Sequence, residues 1–495
     1  MSSFYTNFFL RGKNLYLRRV DNGIRSNVKV PVHPKLFVGD KHGKSDGLHT
    51  DIFGNPLMQM DFETPSDARD FIKQYDDVEG FEVNGFNRFE YVAIDDIFPG
   101  ELFIDPRLLN IGIIDIETKI GATFATPDNA HQEINAISIE INEGDIKSWS
   151  LYNIEPTRKG TFHRYCDDEK QLLKLFIMEW KAMELDVISG WNSSMFDMPY
   201  IMKRIEMVLG DDYAKDMSPW GLYEFYTEKT KFGADALKVR IFGIADLDLL
   251  ALFRKFVLKK MESYSLDYIS YDVLKANKTP YEGSLKDLYT NDPFKFVEYN
   301  QQDVRLVRGI NNKKRLIELA VLIASIAKVN FEDAFSTSRP WDCIIGNYLR
   351  HQNIHVPCAS GGSKSEKFEG AFVKDPIIGY HQWVVAFDLR SLYPSLMMQY
   401  NISPETLLSQ RFPIRPDDIR LKTAAFTEAL EYAKANNATL TANGTLYSRD
   451  KKGFIPFLVG EMFDRRKAAK DEQLEWQSLG EDAKKALENI IEHRA

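Results

Sequence analysis

The sequence predicts a multidomain protein that joins α+β and α/β architecture. Its 495 residues exceed what one hydrophobic core organises and suggest about three to four domains. The amino-terminal part reads as strands, then a helix, then more strands. Further along, a strongly alternating strand is followed by segments whose side chains share a face at helical spacing. With 44% hydrophobic and 27% charged residues, no low-complexity tract and no internal repeat, the composition is that of a soluble globular chain.

Charge and cysteine usage narrow the class only a little. A net charge of −9 does not suggest nucleic acid, nor exclude it, because binding depends on a local basic groove. Cys166, Cys343 and Cys358 are far apart in sequence and make neither a zinc site nor a disulfide framework, which indicates a reducing compartment. The start M-S-S-F-Y-T-N-F-F-L-R lacks the charged and apolar parts of a signal peptide. The most apolar run, Leu316 to Val329, contains Glu318 and Lys328, is too short for a bilayer and reads as a buried helix.

Taken in order, residues 4 to 40 read as a meander with turns at Gly12-Lys13-Asn14 and Asp21-Asn22-Gly23. Thr64-Pro65-Ser66-Asp67 then starts a helix through Phe71, Ile72 and Tyr75, capped by Ser66 or Thr64. This α+β domain ends near Pro106. In Asn110-Ile111-Gly112-Ile113-Ile114-Asp115-Ile116-Glu117-Thr118, strand alternation puts Asp115 and Glu117 on one face. Two such acids repel unless a cation sits between them, so a metal explains them better than a solvent-facing edge strand. The stretch Ile188 to Tyr200 is a strand end, a loop and a helix start, with Pro199 in the first turn and Asp197 at the positive end. Alone, Asp197 reads as a helix cap. In Val297-Glu298-Tyr299-Asn300-Gln301-Gln302-Asp303-Val304, Tyr299 and Asp303 share a helix face, which by itself fits a core tyrosine beside a solvated acid.

Gly361-Gly362 and Phe368-Glu369-Gly370-Ala371 form a glycine-punctuated linker into the apolar run Trp383 to Phe387. That run reads as a buried strand delivering Asp388 and breaking into Ser391-Leu392-Tyr393-Pro394-Ser395. A stiff strand ending in a carboxylate can cradle a divalent metal; the bland alternative is a strand end with a turn acid. Near the end, Arg465, Arg466, Lys467 and Lys470 cluster, with Arg466 and Lys470 one helical turn apart, a pattern that is usually a solvated face. Leu479, Ala483, Ala486, Leu487, Ile490 and Ile491 make an apolar stripe that needs a surface, on this chain or on another.

In their order along the chain, D-I-E, W-N-x-x-x-F-D-x-P-Y, Y-N-x-x-D and S-L-Y-P-S resemble the motifs of the family B DNA polymerases, in wording close to the T-even-type phage replicative enzymes. Tyr264-Ser265-Leu266-Asp267-Tyr268-Ile269 and Trp341-Asp342 are similar to that family as well. The resemblance covers essentially all of this chain but only about the amino-terminal half of such polymerases. It implies an amino-terminal α+β domain over 1–106, used by some members to bind RNA, to which 316–359 return. It further implies a ribonuclease-H-like 3′→5′ exonuclease domain over 107–315, a partial palm over 360–452 and a partial fingers domain over 453–495.

The resemblance also implies site roles. Asp115, Glu117, Asp197 and Asp303 would hold two Mg²⁺ or Mn²⁺ ions, as all-oxygen ligands favour, with Tyr299 orienting the water or the scissile phosphate. Asp388, with the Leu389 carbonyl, would bind metal at a nucleotidyl-transfer site that also takes two. Ser391 and Leu392 amides, Arg466 and Lys470 would meet the triphosphate, and Tyr393 would lie under the sugar. Phe368 and Gly370 would meet DNA, although Phe368 departs from the family's tyrosine and loses a hydroxyl-dependent contact. The D-T-D turn, the K-x-x-x-N-x-x-Y-G helix and a thumb are absent from these residues. The leading expectation is therefore the amino-terminal piece of a split phage polymerase, acting in the bacterial cytoplasm and completed by a second polypeptide. Its partners would be primer–template DNA, a single-stranded 3′ end, deoxynucleoside triphosphates and, through the second chain, a sliding clamp. The alternatives are a free-standing 3′→5′ single-strand exonuclease, or a nucleic-acid-binding regulatory module.

Overall fold

The computed structural model describes residues 3–40, 43, 45, 47–121, 125–154, 159–229, 233, 235–358, 374–389 and 391–492, with side chains in the last helix to 481. Two compact units divide the chain: Met1–Leu36 with Gln59–Asn347, and Phe37–Met58 with Tyr348–Ala495.

The first unit opens with an antiparallel sheet of Ser3–Arg11, Asn14–Asp21 and Ile24–Pro31. Its second turn is the expected tight hairpin: Asn22 and Gly23 both take positive φ, 52° and 83°, and Asp21 pairs with Ile24. Thr64, rather than Ser66, caps the helix Pro65–Tyr75, with Thr64 and Asp67 each accepting the other's backbone N–H. The helix Leu316–Ala327 buries Leu316, Ile317, Ala320, Val321 and Ala324 but leaves Leu322 and Ile326 about half exposed, so only one face is buried. It is fastened by the Tyr5 hydroxyl, which donates to the Ala324 and Val329 carbonyls, and by the buried Lys328–Asp95 pair.

At the heart of this unit is a six-stranded sheet in the order Thr161–Tyr165, Ile146–Ser150, Ile134–Ile141, Ile111–Thr118, Val187–Ser189, Ala245–Asp246. Strand Ile111–Thr118 runs antiparallel to Ile134–Ile141 and parallel to Val187–Ser189. Alternation sends Ile114 and Ile116 into an apolar core with Ile137, Ile139, Trp149 and the helices Glu169–Met183 and Asp197–Leu209. Asp115 and Glu117 take the opposite face, where the helix Pro293–Lys314 lies. Phe296 and Val297 pack there, and buried polar contacts also join that helix to the sheet. Gln301 Nε2 donates to Ser148 Oγ at 3.0 Å, Ser148 Oγ bonds Ser138 Oγ at 2.8 Å, and Arg308 Nε donates to Glu140 at 3.0 Å. Buried polar groups need their particular partners, so this seam permits one helix register and penalises slips.

The second unit holds helices Leu392–Tyr400, Ala424–Ala435 and Phe454–Glu492, and a small sheet in the order Leu407–Arg411, Thr445–Ser448, Ala438–Leu440. One expectation is corrected here. Residues 383–387 do not form a buried strand; the described stretch 374–389 carries no helix or strand, with Trp383 94% and Phe387 93% exposed. A strand exists only with a ladder partner, and among the described residues none pairs with this segment. Among the described residues, no helix is long and apolar enough to cross a membrane.

Candidate active site

The site grows from the end of strand Ile111–Thr118. Asp115, Glu117 and Asp303 each offer a carboxylate oxygen to one cluster, with those atoms all within 4.8 Å of one another. The i and i+2 positions of the strand supply two of the acids, and the helix Pro293–Lys314 supplies the third across the polar seam.

Asp197 stands beside this cluster rather than inside it. It begins the helix Asp197–Leu209, and its Oδ1 accepts the Ile116 N–H at 3.1 Å. The loop before it is close-packed: a Cβ on Gly190 would lie 2.7 Å from the Ile114 carbonyl oxygen, so a glycine is required where the chain crosses the strand. Buried Asp248 then pins the loop, accepting the Asn192 N–H through Oδ1 and the Ser194 N–H and Oγ–H through Oδ2. Trp191 Nε1 donates to the Tyr264 carbonyl at 3.0 Å.

Electrostatics identify what the pocket lacks. Burial first, then the charges of Asp303, Asp197 and Glu117, raises the Asp115 pKa well above the carboxylate range. Burial and Asp303 push Glu117 up to about 8, and burial raises Asp197 to about 7 against the hydrogen bond from Ile116. Burial raises Asp303 to about 6, with Lys278 opposing. Carboxylates forced together in this way want a cation.

Lys278 supplies one cation, and sequence reasoning missed it. Its ammonium pairs with Asp303 Oδ2 and donates to the Tyr299 hydroxyl at 3.0 Å. Burial works against that ammonium, but Asp303, Tyr299 and Asp115 outweigh it and hold its pKa above the usual lysine value. A signal existed in the Y-S-L-D-Y-I stretch. Asp267 Oδ1 accepts the Lys278 N–H at 2.9 Å and an Asn277 Nδ2–H at 3.2 Å, fixing the loop that presents Lys278. Asn300, quoted within Y-N-x-x-D but given no role, donates from Nδ2 to Asp115 Oδ2 at 2.7 Å.

The residues fit divalent metal. The donors are all oxygen, as Mg²⁺ and Mn²⁺ prefer, and buried Asp303 Oδ1 has no hydrogen-bond partner among the described residues. One lysine leaves the cluster of acids incompletely neutralised.

The polymerase-type residues form no comparable pocket. Asp388 and Leu389 end the exposed irregular stretch, and Ser391 precedes the helix Leu392–Tyr400 with φ of 52°. Tyr393 is exposed, Leu392 is partly so, and Arg466 and Lys470 project from the exposed part of helix Phe454–Glu492. Among the described residues no group of three metal-capable side chains includes Asp388. Phe368 and Gly370 lie outside the described residues.

Comparison with known proteins supplies two family matches. The model "DNA polymerase family B, exonuclease domain" matches residues 96–269, which include Asp115, Glu117 and Asp197. The model "DNA polymerase family B" matches residues 336–489, which include Asp388, Ser391, Arg466 and Lys470. The chain is 29% identical over 517 residues to the DNA-directed DNA polymerase of Escherichia phage RB69, covering 99% of this chain and 56% of that protein. It is 28% identical over 514 residues to the DNA-directed DNA polymerase of Enterobacteria phage T4, covering 98% and 56%. A Pyrococcus horikoshii DNA polymerase is 24% identical over 474 residues, covering 88% of this chain and 34% of the relative. The chain thus spans about half the length of the phage relatives it matches.

Proposed function

We propose, for a chain that belongs to the family B DNA polymerases, that the acidic pocket of its first unit is a 3′→5′ exonuclease centre for single-stranded DNA ends. The observation that carries this reading is the convergence of Asp115, Glu117 and Asp303 from a strand and a helix, with Asp197 and a partly buried lysine beside them. The group they would hold is a pair of Mg²⁺ or Mn²⁺ ions, which supplies a more acidic attacking water and stabilises the leaving 3′ oxygen. Asp115, Glu117 and Asp303 bind; Asp197, with one oxygen tied to Ile116, offers its other. Tyr299 keeps its proton, because burial and Asp303 raise its pKa. Its hydroxyl oxygen accepts from Lys278, so its O–H remains to donate to a phosphate oxygen or a water.

Asp115→Ala is expected to lower degradation of a 3′ single strand by at least about a thousandfold, as befits the loss of several kcal/mol of charge stabilisation. Near-normal degradation by that variant would refute the reading.

For nucleotidyl transfer, the proposal is that Asp388 with the Leu389 carbonyl, Ser391, Leu392, Tyr393, Arg466 and Lys470 form one wall of a site completed by residues beyond these. Two observations favour it: no D-T-D turn occurs in the sequence, and the apolar stretch before Asp388 is exposed, as a strand awaiting its sheet would be. Primer–template DNA and deoxynucleoside triphosphates would be the site's substrates, in the cytoplasm of a bacterial host. Adding a polypeptide with D-T-D, the second fingers helix and a thumb should restore templated synthesis. A complex that forms yet stays inert with Mg²⁺, primer–template and all nucleotides counts against it.

A further inference from the structure

We propose that Asn300 is a positioning residue of the exonuclease centre: its Nδ2–H holds Asp115 Oδ2 and leaves Oδ1 to the metal side. This inference rests on the exonuclease reading.

Asn300 is fully buried on the helix Pro293–Lys314, between Tyr299 and Asp303, and donates to Asp115 Oδ2 at 2.7 Å. The bland alternative is that this asparagine only seats the helix on the sheet. That task is already done by Gln301 on Ser148 and by Arg308, which reaches both Glu140 and the Ile111 carbonyl. Asn300 is also a poor choice for seating alone. Its Oδ1 is buried with no hydrogen-bond partner among the described residues, a loss of about 1–3 kcal/mol that an apolar side chain would avoid.

What an amide offers here is a neutral donor. A carboxylate at this position would repel Asp115, and an ammonium would compete with the metal for it. An N–H can fix the orientation of a carboxylate while leaving its charge intact. Groups that orient a metal's ligands in this way commonly change metal affinity or activity by roughly 10–100-fold when removed.

The test uses the full chain with Mn²⁺ as probe, comparing wild type, Asn300→Leu, Asn300→Ser and Asp115→Ala. Mn²⁺ binding is measured directly by calorimetry or electron paramagnetic resonance, and hydrolysis of a 3′ single strand is followed across a Mn²⁺ titration. Both Asn300 variants are expected to melt cooperatively and to bind Mn²⁺ about 10–100-fold more weakly. Their half-saturating Mn²⁺ should rise in step, while the rate at saturating Mn²⁺ changes far less. A folded Asn300→Leu or Asn300→Ser with wild-type Mn²⁺ affinity overturns the proposal. So does a failure of both to fold, which would make Asn300 a residue of the helix seat. The underlying reading fails separately, if Asp115→Ala still binds Mn²⁺ and degrades DNA as wild type does.

Discussion

The ammonium of Lys278 lies against Asp303 and the Tyr299 hydroxyl, and it is the counter-charge that the pocket already owns. Replacing it by methionine keeps most of the unbranched side chain and removes the charge. Asp303 then loses the interaction that opposes its burial, so its pKa rises further above about 6. The acid limb of the exonuclease pH–rate profile should move to higher pH, and the rate near neutrality should fall on the order of a hundredfold, the size for one preorganised donor. A profile that keeps its acid limb would show that Lys278 serves packing alone. Asp115 and Glu117 were legible in the sequence because strand alternation is a local rule. Lys278 was not, since a loop lysine carries no periodicity and its place depends on the Asp267 carboxylate.

At the scale of elements, the helix Pro293–Lys314 decides whether the acids meet. Arg308, five positions after Asp303 on that helix, is bonded to Glu140 of strand Ile134–Ile141, and both are nearly buried. Arg308→Met would strand Glu140 without its cation, and removing one partner of a buried pair costs about 3–5 kcal/mol. Denaturant unfolding followed by circular dichroism should show a loss of that order. Glu140→Gln together with Arg308→Met should recover much of it, because no uncompensated charge remains. The apolar stretch ending at Asp388 teaches the converse lesson. Its composition reads as a strand, but a strand's hydrogen bonds belong to its neighbours, and none of the described strands takes it up.

For the whole molecule, the raised carboxyls couple stability to pH. Unfolded Asp and Glu titrate near about 4, whereas Asp303, Asp197 and Glu117 do so at about 6, 7 and 8 in the fold. Between those limits the folded chain holds protons that the unfolded chain has lost, so stability falls as pH rises through the window. The metal-free melting temperature is expected to decline from about pH 5 to about pH 8, with a flatter slope in Asp115→Asn. Mg²⁺ or Mn²⁺ should raise it most at the alkaline end, where the acids are ionised and repel. Scanning calorimetry over pH, with and without chelator, measures both. A melting temperature that climbs with pH in the metal-free chain would contradict the assignment.

By itself the sequence determined the ordered set of chemical groups: Asp115 beside Glu117, Tyr299 one turn before Asp303, and the S-L-Y-P-S after Asp388. The first two rest on spacing within one element, because a period of two or of about 3.6 residues is written in the chain, and the third rests on a local motif. Tertiary structure decided the rest. It brought Asp303 to Asp115 across a separation of 188 positions, chose Lys278 as the counter-charge and turned the Asn300 amide onto Asp115. It also left the stretch before Asp388 with no strand partner among the described residues. Those outcomes depend on partners distant in sequence, and the burial and hydrogen bonding that select such partners exist only once the elements have packed.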